Sequence, residues 1–302
     1  MKNVIVTGAN GFLGSTLIKK LVDSKIKVLA IDISFSPSYL PETDLVTKLE
    51  TFITRVEDLV AKIPVAEYDA FYHFAWAGVN GAVKANPIAQ IKNIEMAALC
   101  MTVCKQIGCK KFLCAGTIAE QSVNSLPFLE KTSGGMMYGV AKHCTHLMLE
   151  NYSKNIGQTF VWMQLSNIYG PGNKTGNLVS YTLGELFAGN SPAFGPATQP
   201  YDFVSVSDTI EAIKRLGEKN TPRNAYYIGS GHPRLLKDYL WVIGEAMGCP
   251  DRIHIGKRPD DGIKYTMDMF DARITKKEIG EYITKSFEDG INETIIWMKE
   301  NQ

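Results

Sequence analysis

The fold is indicated most clearly near the start of the chain, by Val4-Ile5-Val6-Thr7-Gly8-Ala9-Asn10-Gly11-Phe12-Leu13-Gly14. An apolar run enters a glycine-rich turn, and a helical pattern then runs from Phe12 to Leu21. We expect Gly8 to permit the tight turn, Gly11 to let the backbone approach phosphates, and Gly14 to let the helix pack close to the strand. The free N–H groups of that helix N-terminus favour the pyrophosphate of a dinucleotide. The spacing is G-x-x-G-x-x-G rather than G-x-G-x-x-G, so the pattern needs support from its context.

An acidic residue stands where the ribose of such a dinucleotide would be bound. Lys27–Ile31 reads as a second strand, and Asp32 follows it, about one helix and one strand beyond Gly8. A carboxylate there can accept hydrogen bonds from the ribose hydroxyls. Residues 34–47 contain no Lys or Arg, so a 2′-phosphate would meet only the charge of Asp32. The pattern favours NAD over NADP; the alternative is that Asp32 is a solvated strand end.

The composition excludes several classes of protein. With 302 residues the chain can form one large domain or two smaller ones. A balance of 32 Lys+Arg against 31 Asp+Glu indicates no nucleic-acid partner. No apolar run is long enough for a membrane span, and the first residues read as a core strand, so we expect a cytoplasmic protein. The six cysteines form no Cys-x-x-Cys pair, so we expect no metal site and buried, reduced thiols.

Alternating strand-like and helix-like segments predict an α/β fold, a Rossmann-type doubly wound parallel sheet. The strand candidates are Val4–Thr7, Val28–Ile31, Thr51–Ile53, Ala70–Phe74, Lys111–Cys114 and Val161–Leu165, and the main helix candidates are Ile88–Ile107 and Tyr138–Asn155. Beyond Gly170, frequent Gly and Pro break the pattern. We expect residues 1–170 to form a dinucleotide-binding domain. Residues 171–302 should form a smaller, mainly substrate-binding region of loops and short elements, with segments near 201–230 returning to the sheet and a terminal amphipathic helix at 286–302.

A tyrosine and a lysine four residues apart are the candidates for acid–base chemistry. Tyr138 and Lys142 would share one face of a helix. A nearby ammonium would lower the pKa of the tyrosine, which could then take a proton from a substrate hydroxyl while hydride leaves the same carbon. Thr117, after the fifth strand, either bonds the same oxygen or bonds its own backbone as a turn residue. A solvated helix face is the alternative reading of the pair.

In combination these motifs resemble those of the extended short-chain dehydrogenases/reductases, in particular the NAD-dependent epimerase/dehydratase family that acts on nucleotide sugars. The resemblance covers nearly the whole chain. It is carried by Thr7–Gly14, Asp32, His73–Ala77, Asn93, Thr117, Tyr138 with Lys142, Asn167–Gly172, Tyr201–Val204, and Arg258-Pro259 ahead of Asp268.

The resemblance implies a role for each group of residues. Thr117, Tyr138 and Lys142 would be the catalytic residues. Asn167, Arg258 and Thr117 would hold a nucleotide-diphosphate sugar. The residues implied to bind NAD are Gly8, Asn10, Gly11, Phe12, Leu13, Gly14, Asp32, Phe74, Ala75, Trp76, Asn93, Tyr138 and Lys142.

The chain also departs from the family pattern. Ile118 and Ala119 stand where the dehydratases carry an Asp-Glu pair, so elimination of water is not expected. Tyr201 replaces a frequent arginine, and Arg55 stands near the place of an aspartate that meets adenine, which leaves both contacts open. Trp76 replaces a small residue and either walls the substrate pocket or packs in the core.

These observations predict an NAD-dependent nucleotide-sugar epimerase, acting at C4 through a transient keto-sugar. The alternatives are a 4-ketoreductase or dehydrogenase with net cofactor turnover and a non-catalytic NAD-binding sensor. We also expect a homodimer, because the helices at 88–107 and 138–155 carry apolar residues on more than one face. Relatives pair these two helices across a two-fold axis; alternatively, C-terminal segments of the same chain cover them.

Overall fold

The structure is a computed structural model that describes residues 1–79, 81–173, 175–260 and 265–301. Its strands are Asn3–Thr7 (β1), Lys27–Asp32 (β2), Val46–Glu50 (β3), Ala70–His73 (β4), Lys111–Ala115 (β5), Thr159–Leu165 (β6), Asn167–Tyr169 (β7), Pro200–Tyr201 (β8), Phe203–Ser205 (β9), Ala225–Ile228 (β10) and Arg234–Leu235 (β11). A parallel sheet runs in the order β3-β2-β1-β4-β5-β6-β10. The predicted Rossmann-type α/β fold is confirmed.

Helices cover both faces of this sheet. They are Phe12–Asp23 (α1), Val56–Lys62 (α2), Pro87–Gln106 (α3), Gly134–Ile156 (α4), Leu178–Phe187 (α5), Val206–Glu218 (α6), Leu236–Ala246 (α7), Arg273–Ile279 (α8) and Phe287–Glu300 (α9). Val4 and Val6 of β1 pack with α1 and α6, whereas Ile5 points to the other face and packs with α3 and α4. Successive strand residues face opposite sides, so an unbroken apolar run suits a strand buried on both faces.

Two sequence predictions about these elements were wrong. The third strand is Val46–Glu50 and not Thr51–Ile53. It lies at the edge of the sheet with charged, largely exposed side chains, so it lacks the apolar signature that the search required. The stretch after Gly170 holds more than loops, because α5, α6 and α7 are regular helices of 10, 13 and 11 residues.

The second half of the chain builds its own core and also joins the main sheet. Tyr169, Leu183, Phe203, Leu240 and Ile291 belong to one buried cluster between β7, β9, α5, α7 and α9. Strand β10 pairs in parallel with β6, so this half contributes the last strand of the main sheet.

One edge of the sheet gathers the residues that the sequence singles out. Thr7, Asp32, His73 and Ala115 end β1, β2, β4 and β5, and the carboxyl ends of parallel strands meet at a single edge, where ligands of such sheets bind. Within the ranges that the structure describes, no helix is both long and apolar enough to cross a bilayer.

Candidate active site

The glycine turn is built for close backbone approach. Gly8 has φ +66°, and a Cβ there would lie 2.7 Å from the Ala75 nitrogen. A Cβ on Gly14 would lie 2.1 Å from the Gly8 carbonyl oxygen, so only glycine lets α1 pack this close to β1. Gly11 precedes α1 as its N-cap and forms no side-chain cap hydrogen bond, so the first N–H groups of α1 remain available to an anion.

Asp32 closes one end of this turn. Its carboxylate accepts hydrogen bonds from the Asn10 nitrogen at 2.8 Å and the Ile33 nitrogen at 2.7 Å. The Asn10 amide donates to the carbonyls of Ser34 and Pro37, at 3.0 and 2.9 Å, and so ties the segment after β2 to the glycine turn. The carboxylate is thereby held at the rim of the groove, as the bonding of a ribose requires.

A groove of about 650 Å³ runs along these strand ends. Most residues predicted to bind NAD line it, namely Gly8, Asn10, Gly11, Phe12, Leu13, Gly14, Asp32, Phe74, Ala75, Trp76, Tyr138 and Lys142. Asn93 lies behind the groove. It is 2% exposed, and its amide both donates to and accepts from the Ala77 backbone at 2.8 Å, which fixes the loop after β4. The groove, its glycine cradle and its carboxylate rim fit an adenine dinucleotide.

We expect Asp32→Ala to weaken NAD binding and to narrow the preference for NAD over NADP. The substitution removes both the ribose acceptor and the charge that repels a 2′-phosphate. Calorimetric titration with the two cofactors measures this ratio, and Asp58→Ala, at an exposed carboxylate on α2, is the control. A ratio equal to that of the wild type would show that Asp32 does not meet the ribose.

Tyr138, Lys142 and Trp76 form one aromatic and cationic cluster. Lys142, 3% exposed, donates to the Ala115 carbonyl at 2.7 Å and lies 3.5 Å from the centre of the Trp76 ring. Trp76 in turn packs edge-on against Tyr138, with ring centres 6.0 Å apart, and its Nε1 donates to Gln90 at 2.9 Å. Trp76 thus forms part of the groove wall, and its hydrogen bond to Gln90 fixes the orientation of its ring. One ammonium proton of Lys142 is used by Ala115, which leaves two for a ligand.

The Thr117 hydroxyl makes the local backbone bond of a turn residue, and its bond to a substrate oxygen stays a prediction. It is the N-cap of a 3₁₀ segment, Ile118–Phe128, and its Oγ1 accepts from the Ala119 nitrogen at 3.3 Å. The Thr117 side chain also lies close enough to Tyr138 to act toward lowering the pKa of that phenol, and both residues line one cavity. The strand end therefore presents Thr117 to Tyr138.

The sequence predicts that Lys142 lowers the pKa of Tyr138, but the pKa of this phenol is raised instead. Burial, chiefly, and the nearby Glu120 carboxylate raise the pKa of Tyr138 above its ordinary value. The Lys142 ammonium lies 5.8 Å from the centre of the tyrosine ring and points to Trp76 and Ala115. Burial also lowers the pKa of Lys142 to about 8. The phenol is therefore the stable form of Tyr138 in this arrangement.

His73 is a packed histidine. Its Nδ1 is 2.8 Å from the Thr7 hydroxyl, and the residue is 1% exposed. Burial and the charge of Lys142 lower its pKa to about 3, so the ring is neutral. It braces the ends of β1 and β4.

A second cavity, of about 300 Å³, adjoins the groove on the other side of Tyr138. Thr117, Tyr138, Asn167 and Tyr201 line it, and Tyr201 packs against Phe203, with ring centres 5.5 Å apart. Polar residues that the sequence did not single out also line it, namely Ser166, Asn173, Thr175 and Asn177. Ser166 and Asn173 flank the Asn167–Gly172 motif, and Thr175 and Asn177 lie beyond it on either side of Gly176, where the sequence shows no motif.

Two arginines lie away from these cavities. Arg258 donates to the Tyr181 hydroxyl at 2.8 Å and is not among the described residues that line the second cavity. Arg55 lies 3.7 Å from Glu57 at the start of α2, beside α3 and α4. The structure therefore does not bring Arg258 to Asn167, and it places Arg55 outside the groove.

The described residues contain no cluster of three His, Cys, Asp or Glu side chains arranged to hold a metal ion. Their cysteines are unpaired, and Cys100, Cys104, Cys109 and Cys114 are buried in the core, as small apolar side chains are.

Sheet, glycine cradle and groove together define a dinucleotide-binding α/β protein. Residues 4–229 match the model of the NAD dependent epimerase/dehydratase family. The chain therefore belongs to the NAD-dependent epimerase/dehydratase family, an extended short-chain dehydrogenase/reductase family of enzymes, and its cofactor is NAD.

Individual relatives are distant, but some are similar over nearly the whole chain. It is 25% identical to a putative UDP-glucose 4-epimerase of Methanocaldococcus jannaschii, covering 99% of each sequence. It is 24% identical to a dTDP-4-dehydro-6-deoxyglucose reductase of Escherichia coli, covering 97% of this chain and 96% of the relative. The structure of UDP-glucose 4-epimerase from Thermotoga maritima, solved with UDP-glucose, shares its fold with a TM-score of 0.84 at 21% identity over 99% of each chain.

Proposed function

We propose that this enzyme is an NAD-dependent nucleotide-sugar epimerase that acts at C4 of the sugar. The observation that carries the proposal is the position of Tyr138, which lines both the groove and the adjoining cavity. A sugar hydroxyl bound in the cavity would therefore lie within reach of Tyr138 and next to a cofactor bound in the groove. The relatives that are similar over the whole chain include a nucleotide-sugar epimerase and a nucleotide-sugar reductase, which supports this class of substrate.

The chain's own residues would divide the work as follows. Tyr138 exchanges a proton with the sugar hydroxyl, and Thr117 holds the same oxygen by a hydrogen bond. Lys142 uses its two remaining N–H groups to orient the cofactor ribose. NAD, when bound, supplies the reversible hydride transfer.

The proposed outcome of the reaction is epimerisation rather than elimination. Ile118 and Ala119 follow Thr117 and offer no acid or base for removing water. Residues 171–302 would mainly bind the nucleotide-diphosphate sugar. Asn167 would contact its diphosphate, and Arg258 would do so after a change of rotamer. Unpaired cysteines suit work in the reducing cytoplasm, which we propose as its compartment.

The second candidate is a ketoreductase or dehydrogenase that uses the same three residues with net cofactor turnover. The similarity to the Escherichia coli reductase favours it. A non-catalytic NAD sensor is a third reading, which the complete set of Thr117, Tyr138 and Lys142 disfavours.

Incubation with a panel of nucleotide sugars separates the candidates. Absorbance of reduced nicotinamide is followed while the sugars are analysed. We expect a new epimer without net reduction of cofactor. Stoichiometric cofactor turnover would instead identify an oxidoreductase, and neither signal on any sugar would point to a sensor.

We also propose that two copies of this chain pair through α3 and α4. These helices pack side by side, and an apolar depression of about 880 Å³ on their outer surface is lined by residues such as Leu99, Leu147 and Met148. Leu147 is 54% exposed and Met148 51%. Within the ranges that the structure describes, α9 does not cover this depression, because α9 packs with α7 and β9. A second copy is the occupant that explains the exposed stripe.

Light scattering at micromolar concentration tests the dimer. We expect about twice the chain mass of 33.4 kDa. Changing both Leu99 and Leu147 to glutamate should return the mass to that of one chain, because two copies would then face each other with unpaired charges. Trp241→Glu, at another exposed apolar residue on α7, should leave the dimer intact. A single-chain mass for the wild type would rule out the pairing.

A further inference from the structure

A buried carboxylate lies directly beneath the floor of the proposed active site. Glu120 is 4% exposed and belongs to the 3₁₀ segment that follows Thr117. Glu120 is not among the described residues that line the groove or the adjoining cavity. It is therefore not the missing acid of a dehydratase, and the reaction as proposed gives it no part.

Glu120 makes three contacts that reach different elements. Its Oε1 accepts from the Thr117 nitrogen at 2.6 Å, and its Oε2 accepts from the Trp162 Nε1 of β6 at 3.0 Å. The same Oε2 is 3.7 Å from Nδ1 of His146 on α4. The His146 ring stacks on Trp162 with centres 4.9 Å apart and planes 4° apart. One carboxylate thus joins the turn after β5 to α4 and β6.

The surrounding backbone is shaped to admit this carboxylate. A Cβ on Gly116 would lie 2.3 Å from Trp162 Nε1 and 2.7 Å from Glu120 Oε1, so a side chain there would displace the pair. A Cβ on Gly139 would lie 2.5 Å from the Ala119 carbonyl oxygen, so α4 approaches the 3₁₀ segment closely right beside Tyr138. Gly116 also lines both cavities, which places the pair one residue below the site.

We propose that Glu120 is a positioning residue of the active site, whose carboxylate anchors the turn that carries Thr117 and supplies a negative charge close to Lys142. The anchoring follows from the reciprocal capping of Thr117 and Glu120, in which the carboxylate accepts from the backbone nitrogen of Thr117, the residue that lines the cavity beside Tyr138. The inference rests on the proposed function only where turnover is measured.

The charge assignment starts from geometry: Lys142 donates to the Ala115 carbonyl, and a Cβ on the next residue, Gly116, would lie 2.7 Å from Glu120 Oε1. Four titratable groups lie around Lys142. They are Cys114 from β5, His73 from β4, Tyr138 from α4 and Glu120 from the 3₁₀ segment. Burial raises the pKa of Cys114 to about 12, burial lowers that of His73 to about 3, and burial raises that of Tyr138, so all three are neutral near pH 7. Burial is the main influence on Lys142 and disfavours its charged form, whereas Cys114 and Glu120 act to favour it. Because Cys114 is a neutral thiol near pH 7, the contribution of the Glu120 carboxylate remains.

The first test is a titration of Lys142 in Glu120→Gln protein. Lysine labelled with ¹³C at Cε is followed by NMR, and the Lys142→Met spectrum assigns the signal. Glutamine keeps the shape but removes the charge, so the midpoint of Lys142 should fall by roughly one pH unit. Glu130→Gln, an exposed glutamate two residues beyond the 3₁₀ segment, should leave it unchanged. An unchanged midpoint in Glu120→Gln would overturn the electrostatic part of the proposal.

The second test keeps the charge and removes the anchor. In Glu120→Asp the shorter side chain withdraws from the Thr117 nitrogen but keeps its negative charge. The titration midpoint of Lys142 should therefore stay near that of the wild type. Turnover of the nucleotide sugar should fall by about 10- to 10²-fold with little change in KM, because Thr117 is displaced from Tyr138. Wild-type turnover would overturn the anchoring part. If Glu120→Gln does not fold, Glu120→Asp still decides between a positioned and an idle carboxylate.

The two proposals fail in different ways. The Lys142 titration needs no substrate, so a fallen midpoint in Glu120→Gln with no turnover of any sugar by the wild type would reject the proposed function and keep the role of Glu120. Normal epimerisation by the wild type with an unmoved midpoint and full turnover in both variants would do the reverse.

Discussion

Tyr138→Phe protein is expected to bind NAD as the wild type does and to turn over its nucleotide sugar roughly 10²–10⁴-fold more slowly, the usual contribution of a positioned acid–base group. The substitution removes one oxygen at the boundary between the groove and the cavity and leaves the ring packed against Trp76. Steady-state rates and calorimetric titration with NAD measure the two quantities separately.

The control for this variant is Tyr68→Phe. Tyr68 is a buried tyrosine whose hydroxyl donates to the Pro64 carbonyl at 3.0 Å, away from both cavities. The Tyr68→Phe enzyme also loses one phenol oxygen, and its turnover should equal that of the wild type. Near-normal turnover in Tyr138→Phe would remove Tyr138 from the mechanism, and equal losses in both variants would indicate a general effect on folding.

Lys142→Met should lower turnover by about 10²-fold and also weaken NAD binding, because the Lys142 ammonium would orient the cofactor ribose and a misplaced cofactor slows hydride transfer. Its pKa is lowered to about 8 by burial, so the ammonium is present below that pH and lost above it. The kcat/KM of the wild type should therefore decline as the pH rises through about 8, and this decline should be absent from the variant.

The pH profile separates this role from simple packing. Lys154→Met, at an exposed lysine on the same helix that pairs with Glu150 at 2.8 Å, should keep the rate and the decline of the wild type. A Lys142→Met enzyme with the same decline near pH 8 would assign that titration to another group, and one with unchanged NAD affinity would separate Lys142 from the ribose.

Much of the cofactor groove could be predicted from the sequence because local backbone geometry determines it. At Gly8 and Gly14 any Cβ would collide with the backbone, so the spacing of these glycines predicts the turn. Strand β1 and the helix after it are also local features, and their apolar patterns predict them. Strand β3 was misplaced because an edge strand with exposed charges has no such pattern.

The chemistry at the centre of the site was harder to predict because it depends on contacts between distant segments. The sequence pairs Tyr138 with Lys142, but it does not show that Lys142 lies over Trp76 or that burial raises the pKa of Tyr138. Glu120 was missed for the same reason, since its partner Trp162 comes from a strand 42 residues away. The sequence predicts Arg258 at the substrate, yet its side chain donates to the Tyr181 hydroxyl. This position could not be predicted, because motifs do not determine how the residues after Gly170 fold.

A tracer experiment tests the central claim most directly. A nucleotide sugar carrying deuterium at C4, taken from among those the enzyme converts, is incubated with the enzyme and an excess of unlabelled NADH. We predict that the product epimer keeps its deuterium at C4 and that the free cofactor gains none, because hydride leaves and returns within one bound complex. Deuterium in the released NADH, or its replacement by hydrogen in the product, would contradict an epimerase that retains its cofactor.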